Sequence, residues 1–193
     1  MTVSDSWGIN MNILILPVSF LVLVGLSNSV NLTDGLDGLA AGCSGIVFYG
    51  LGTEILMKGQ QELFVFSVLC YSMSGICLGF LKYNSYPAKI FMGDTGSLSI
   101  GAILGSIALL TNSVFTLSIF SGIFILESLS VMIQVSFFKI TKKLFQKGKR
   151  IFLMAPLHHH YELKGVEEKK IVENFWIINI LLVILGIVLK INL

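Results

Sequence analysis

Long apolar runs separated by short polar segments are the dominant pattern along this chain. A helix needs about 20 apolar residues to cross a bilayer. The pattern predicts six membrane-spanning helices, at residues 11–30, 39–57, 63–81, 95–111, 114–138 and 175–191. The fourth and sixth are short, and two glycines interrupt the fourth, but membrane helices tolerate glycine. The predicted fold class is an all-α, polytopic transmembrane helical bundle, with one membrane domain over residues 1–193.

Composition and charge support a membrane protein and predict its orientation. Hydrophobic residues make up 54% of the chain, charged residues make up 12%, and the mean hydropathy is +0.86, which excludes an ordinary soluble domain. With six crossings the loops alternate sides, so Lys58 and Lys190 share one face and the other Lys and Arg residues share the opposite face. That basic group is Lys82, Lys89, Lys139, Lys142, Lys143, Lys147, Lys149, Arg150, Lys164, Lys169 and Lys170. The positive-inside rule predicts that the basic face is cytoplasmic and that both termini are outside.

The first polar string, residues 31–40, reads Asn-Leu-Thr-Asp-Gly-Leu-Asp-Gly-Leu-Ala and falls on the predicted cytoplasmic face. Thr33 or Asp34 is a candidate cap for a helix that begins near Gly38. Asp34 and Asp37 are spaced so that a helical turn puts both carboxylates on one side. Gly35 lets a ligand approach the backbone. A capped helix with a solvated turn is the alternative, but two carboxylates exceed what capping requires.

The second polar string, residues 91–97, reads Phe-Met-Gly-Asp-Thr-Gly-Ser and repeats this construction on the same face. Asp94 is a candidate N-cap, and the glycines on either side of it free the backbone. The amides that open the following helix form an anion site. A carboxylate beside such a site holds Mg²⁺, which in turn binds phosphate oxygens. The two strings together indicate a metal-assisted phosphate site.

The third polar string, residues 156–162, reads Pro-Leu-His-His-His-Tyr-Glu and lies in a cytoplasmic loop predicted over residues 139–173. Adjacent helical residues point in different directions, so three consecutive histidines suit phosphate or sugar hydroxyls better than one shared metal ion. Non-catalytic surface histidines are the alternative. Glu127 and Gln134 share a helical face in the fifth predicted span, where a structural hydrogen bond and a functional role are both open. The basic run at residues 139–150 is interpreted as a topology anchor near anionic lipid.

These strings, together with Gln134-Val and Phe137-Phe-Lys139, closely resemble the polyprenyl-phosphate N-acetylhexosamine-1-phosphate transferase family over nearly all 193 residues. The Leu-His-His-His-Tyr-Glu string resembles the branch that acts on muramoyl-pentapeptide, since relatives that act on N-acetylglucosamine-1-phosphate carry a differently spaced histidine motif. The resemblance implies Mg²⁺-dependent transfer of phospho-N-acetylmuramoyl-pentapeptide from UDP-N-acetylmuramoyl-pentapeptide to undecaprenyl phosphate, giving lipid I and UMP. It also implies a homodimer surrounded by membrane lipid in the bacterial plasma membrane, with its site on the cytoplasmic face. We expect no nucleic-acid partner.

The same resemblance implies roles for the site residues. Asp94 is the implied Mg²⁺ ligand, with Asp34 beside it as a second metal ligand. The implied catalytic residues are Asp34, Asp37, Asp94 and His159. The implied substrate-binding residues are Asn31, Gly35, Asn84, Phe91, Gln134, His158, His159 and His160. Among these, Phe91 stacks on uracil, and the long fifth span helps to form a groove for the lipid.

The chain departs from the family pattern in length. Family members are nearly twice as long, with about ten spans, and this chain matches their C-terminal part. The unmatched part includes an adjacent Asp-Asp pair implied to activate the lipid phosphate, and no Asp-Asp occurs here. We therefore expect a fragment of a ten-span fold, with little or no transferase activity on its own.

The sequence leaves other functions to consider. A sister transferase that uses UDP-N-acetylglucosamine and an inactive truncated bundle are the alternatives. A transporter or channel is disfavoured, because only Glu127 lies deep in a span and no inverted repeat is evident. Within the family reaction, direct attack by the lipid phosphate is favoured over a phospho-enzyme, because neither loop offers a carboxylate free of metal or capping duty.

Overall fold

The computed structural model describes the backbone of residues 11–191 and the side-chain surroundings of residues 15–190. Residues 1–10 and 192–193 of the predicted domain lie outside the described residues. Within the described part the chain forms eight α-helices and no β-strand. The helices are α1 (Met11–Thr33), α2 (Leu39–Met57), α3 (Phe64–Asn84), α4 (Gly93–Leu110), α5 (Val114–Phe120), α6 (Gly122–Phe145), α7 (Leu157–Leu163) and α8 (Glu168–Ile191). A 3-10 turn, Gln61–Leu63, precedes α3.

Six of these helices, α1, α2, α3, α4, α6 and α8, are long and apolar enough to cross a membrane. The prediction of an all-α bundle with six spans is therefore confirmed, and the chain is a multi-pass membrane protein. Helices α5 and α7 have 7 residues each and are too short to span.

Helix α2 forms the centre of the bundle. In its most apolar stretch 78% of the residues are buried, whereas the share of buried residues in the other spanning helices is 17% to 39%. It packs on α3 and α8, and a Cβ added at Gly42 would lie 2.1 Å from Trp176 Nε1 on α8. Helices α1 and α4 approach as closely, since a Cβ at Gly101 would lie 2.5 Å from Ser27 Cα. Lipid gives little hydrophobic drive for helix association, so close packing at small residues holds these helices together.

The prediction of one continuous span over residues 114–138 is wrong, because the chain breaks at Ser121 into α5 and α6. Helix α5 packs on α8 and α2, whereas α6 packs mainly on α1. Phe120 is fully buried and fixes α5 against α8, where a Cβ at Gly186 would lie 2.5 Å from the Phe120 ring. The segment is apolar throughout, which predicts a single helix. It forms two helices because its two parts pack on different neighbours.

Several helices extend beyond the apolar runs that predicted them. Helix α3 continues to Asn84, α6 continues to Phe145, and α8 begins at Glu168 rather than at residue 175. In the added turns of α8, Lys169 Nζ lies 3.9 Å from Glu173 Oε1, an ion pair across one helical turn. These polar turns carry chemistry-bearing side chains to the end of the bundle where the three polar strings lie.

Candidate functional site

The first and second polar strings meet where α1 ends and α4 begins. Asn31, in the last turn of α1, donates from Nδ2 to Asp94 Oδ1 at 3.0 Å and to Ser97 Oγ at 2.9 Å. Gly93 has a φ of 67°, and this left-handed turn places Asp94 in the first turn of α4. A carboxylate is stabilised there because a helix N-terminus carries partial positive charge.

The predicted helix caps are wrong. The N-cap residue of α4 is Met92 and makes no side-chain capping bond, so Asp94 is not the cap. The N-cap residue of α2 is Gly38, with a φ of 79°, and no side chain caps that helix either. Thr33 Oγ1 instead donates back to Ser29 O within α1, at 2.7 Å. Left-handed glycines make both turns without a side-chain cap, so neither the Asp34 nor the Asp94 carboxylate is used in capping.

Asp34 directly follows α1 and is half-buried. Burial, and secondly the negative charge of Asp94, raise the pKa of the Asp34 carboxyl to about 6. The two carboxylates therefore lie close enough to repel each other. A positive charge between them would relieve that repulsion and favour the ionised form of both.

Asp37 is occupied in fixing the first loop. Its Oδ2 accepts the N–H of Ala88 at 2.8 Å, and its own N–H donates to Glu168 Oε1 at 2.8 Å. The residue thus ties the loop after α1 both to the segment after α3 and to the start of α8. Its implied catalytic role remains a prediction.

Asn84 and Phe91 lie at the two ends of the segment between α3 and α4. Asn84 is buried and donates from Nδ2 to Ile90 O at 2.9 Å, which closes this segment on itself. The Phe91 side chain is 77% exposed, so its ring is open to a stacking partner. The implied contacts of both residues with a nucleotide remain predictions.

The third polar string joins the first through His158. The His158 ring is fully buried and lies over Gly35, where an added Cβ would be 2.3 Å from Nε2. Glu127 of α6 is also buried; it accepts the N–H of Leu157 at 2.6 Å, and its Oε1 lies 3.3 Å from His158 Nδ1. Glu127 therefore holds the first turn of α7 through a hydrogen bond and places a carboxylate against the His158 ring.

The three histidines face three different partners, as their adjacent positions on a helix predict. His159 Nδ1 lies 2.6 Å from Glu162 Oε2, and both side chains are half-exposed. His160 Nδ1 accepts the N–H of Leu153 at 3.1 Å. The rings of His158 and His159 lie edge to face with centroids 4.2 Å apart. Only His159 therefore combines a fixed orientation through a carboxylate with a half-exposed imidazole.

Gln134 hydrogen-bonds the loop that follows α6. Its Oε1 accepts the N–H groups of Ile151 and Phe152, each at 3.0 Å, and its Nε2 donates to Phe152 O at 2.8 Å. The implied substrate contact of Gln134 remains a prediction, and these bonds already use both ends of the amide.

A family model described as Glycosyl transferase family 4 matches residues 2–112, a range that includes the first two polar strings. The chain belongs to glycosyl transferase family 4. The chain is also similar to curated proteins named phospho-N-acetylmuramoyl-pentapeptide-transferase. This similarity confirms the family resemblance that the three polar strings indicate.

Three such relatives show how much of their length is matched. The one from Prochlorococcus marinus strain MIT 9301 is 91% identical over 192 residues, covering 100% of this chain and 54% of the relative. The one from P. marinus subsp. pastoris strain CCMP1986 is 73% identical over 192 residues, covering 100% of this chain and 54% of the relative. The one from Synechococcus sp. strain CC9605 is 48% identical over 180 residues, covering 93% of this chain and 51% of the relative. The chain spans about half the length of these curated relatives.

The carboxylates of Asp34 and Asp94 are chemically suited to a divalent cation. Within residues 11–191 no cluster of three or more His, Cys, Asp or Glu side chains is arranged to hold a metal ion. Mg²⁺ is nevertheless commonly held by one or two carboxylates, with water and substrate phosphates completing the shell. Two adjacent carboxylates, one with a raised pKa, match that donor set.

The side chains that build the site but were not among the predicted site residues are Ser97, Glu127, Glu162 and Glu168. Ser97 accepts from Asn31, and its place in the second polar string was a usable signal. Glu168 accepts from the backbone of Asp37 across a sequence separation of 131 residues. No local pattern links residues so far apart, so sequence reasoning had no means of finding Glu168.

Proposed function

We propose that this chain carries nucleotide-sugar and metal-binding machinery of a transferase in peptidoglycan synthesis. The reaction moves phospho-N-acetylmuramoyl-pentapeptide from UDP-N-acetylmuramoyl-pentapeptide to undecaprenyl phosphate and gives lipid I and UMP. The supporting observation is the convergence of the three polar strings, where Asn31 binds Asp94 and His158 lies over Gly35. The names of the relatives favour the muramoyl substrate over UDP-N-acetylglucosamine.

Mg²⁺ is the proposed cofactor, held by Asp34 and Asp94. When bound, it would neutralise charge on the diphosphate, which is the main requirement of phosphoryl transfer. Asn31 holds the Asp94 carboxylate in place through its 3.0 Å hydrogen bond. Because the first turn of α4 offers unpaired N–H groups beside Asp94, the same position also favours an anionic substrate.

His159 is the proposed contact for the sugar and its phosphates, because the His158 ring is fully buried and the Nδ1 atom of His160 accepts the N–H of Leu153. Nδ1 of His159 donates to Glu162, which leaves Nε2 for the substrate: it accepts from a sugar hydroxyl when the ring is neutral and donates to a phosphate oxygen when the ring is protonated. Asn84 and Phe91 border the proposed nucleoside position, with the exposed Phe91 ring stacking on uracil. Asp37 contributes by fixing the loop that presents Asp34.

The lipid acceptor is proposed to lie in the apolar groove between α1, α5 and α6. This groove has a volume of about 330 Å³ and is lined by residues that include Leu21, Leu117 and Ile125. The lipid phosphate attacks the β-phosphate of the nucleotide sugar directly, at the cytoplasmic face of the bacterial plasma membrane. A homodimer is included in the proposal on the resemblance alone, and the mass of the detergent-solubilised protein by light scattering tests it.

Calorimetric binding to the full chain in nanodiscs tests the proposal. We expect Mg²⁺-dependent binding of UDP-N-acetylmuramoyl-pentapeptide, weaker binding of UDP-N-acetylglucosamine, and at least a tenfold loss of affinity in Asp94→Asn. Glu62→Gln removes an exposed carboxylate of the 3-10 turn and serves as the matched control. Unchanged binding in Asp94→Asn would refute the site, and equal binding of both nucleotide sugars would refute the muramoyl assignment.

A further inference from the structure

A second chemically distinct surface lies beyond the histidine site, at the C-terminal end of α6. We call residues 137–154 the basic platform: the last turns of α6 and the loop that follows them. Its six cations are Lys139, Lys142, Lys143, Lys147, Lys149 and Arg150, and all of them are exposed. No Asp or Glu occurs in the sequence between Glu127 and Glu162. The platform is therefore a surface of a single charge sign.

Hydrogen bonds hold the loop of the basic platform against its helix. Gln134 bonds the backbone of Ile151 and Phe152 in three places, as described above. Thr141 Oγ1 accepts the N–H of Lys149 at 2.8 Å, one turn before the helix ends. The cations of the helix and those of the loop are thus presented together by an ordered backbone.

The cations of the basic platform have no carboxylate partner. None of the six forms an ion pair within 4.0 Å in the part of the chain that the structure describes, and Lys149 Nζ lies 5.7 Å from the Phe145 ring centroid. Lys58, near the far end of α2, provides the contrast, because its ammonium is 3.2 Å from Glu54 Oε1 and donates to Thr111 O. The positive charge at the platform is left for a partner outside the chain.

The position of the basic platform matches the headgroup layer of a bilayer. Helix α6 has 24 residues, so at about 1.5 Å per residue it is roughly 36 Å long, longer than a hydrocarbon core of about 30 Å. Ile140, Leu144 and Phe145 are large, exposed and interleaved with the lysines. An apolar surface interrupted by lysines suits the boundary of a membrane, where the stems lie in hydrocarbon and the ammonium groups reach the headgroups.

We propose that the basic platform binds the phosphate headgroups of anionic phospholipids in the surrounding leaflet. Several ammonium groups and one guanidinium offer complementary charge to a row of phosphodiesters. The exposed apolar residues enter the acyl region between those headgroups. The proposed lipid site uses none of Asp34, Asp94 or His159, although its loop is hydrogen-bonded to Gln134 and His160.

Native mass spectrometry of the full chain, released from detergent micelles with added lipid, tests the proposal. We expect more and longer-lived adducts with phosphatidylglycerol than with phosphatidylcholine. Each cation near a membrane surface contributes about fivefold in affinity, so the variant Lys142→Gln/Lys143→Gln/Lys147→Gln is expected to lose about a hundredfold. The control Lys164→Gln/Lys169→Gln/Lys170→Gln removes the same charge outside the platform and is expected to lose clearly less affinity, since Lys169 is already paired with Glu173.

Two further measurements decide the matter even if the glutamine variant does not fold. Phosphatidylglycerol adducts of the unmodified chain are expected to decrease steeply between about 50 mM and 500 mM salt, because exposed charges are screened. Arginine at positions 142, 143 and 147 is expected to retain the adducts. Four results would each overturn the proposal. They are equal retention of both lipids, an equal loss of adducts in the control variant, adducts that do not change with salt, and displacement of the lipid by millimolar inorganic phosphate.

Discussion

Removing the Glu127 carboxylate is expected to release α7, the short helix that carries the three histidines, from α6. Glu127 accepts the Leu157 N–H at 2.6 Å and faces His158 Nδ1 at 3.3 Å, and both side chains are only 1% exposed. Glu127→Ala leaves the buried Leu157 N–H without its acceptor and removes the carboxylate that faces the buried imidazole, which costs about 3 kcal/mol. At about 1.4 kcal/mol per tenfold, opening of α7 should become roughly a hundredfold more frequent. Glu127→Gln keeps an acceptor for Leu157 but loses the charge, so about a tenfold increase is expected.

Hydrogen–deuterium exchange of the chain in nanodiscs measures this opening directly. Amides of α7 should exchange faster in the order wild type, Glu127→Gln, Glu127→Ala, while amides of the central helix α2 stay protected. Glu62→Ala removes an exposed carboxylate from the other end of the bundle and should change neither helix. Exchange of α7 in Glu127→Ala within twofold of wild type would refute the reasoning that this carboxylate holds the helix.

Three further outcomes follow from the same structure. Because the pKa of Asp34 is raised to about 6, protons compete with Mg²⁺ for its carboxylate. The Mg²⁺ affinity measured by calorimetry should be constant above about pH 7 and fall roughly tenfold per pH unit below pH 6. An affinity that does not change with pH would contradict this. Gly35→Ala places a Cβ 2.3 Å from His158 Nε2 and should weaken nucleotide-sugar binding at least tenfold by calorimetry, whereas Gly75→Ala, with nothing within 4 Å, should not. Glu54→Ala removes the partner of a lysine ammonium and should destabilise the bundle by about 3 kcal/mol in thermal unfolding; an unchanged midpoint would count against a structural role for the pair.

The spans and the polar strings were predictable because both are local signals. An apolar run of membrane length and a Gly-Asp turn can each be found within a few tens of residues. Alternation of loops across six spans was enough to place the three strings together, and the contact of His158 with Gly35 agrees with that expectation.

The remaining features depend on contacts between distant segments. The Ser121-Gly122 pair is a local turn signal that membrane helices often tolerate without breaking. The break is decided by packing, because α5 and α6 pack on different neighbours. The bond from Asp37 to Glu168 and the turns made by left-handed glycines in place of side-chain caps depend in the same way on the assembled bundle. Local pattern therefore found the chemical groups, and tertiary packing decided how some of them are used.

The break at Ser121 has a mechanical consequence for the bundle. Helix α5 is locked into the centre by Phe120, whereas α6 contacts mainly α1 and is joined to α5 through one residue. Bilayers differ in thickness by a few ångströms, and spanning helices adjust by tilting. We expect α6 to take up that adjustment by swinging about this joint, carrying Glu127 and the attached histidine helix along. Local membrane thickness would then change the alignment of the proposed contacts between His159 and the sugar phosphates.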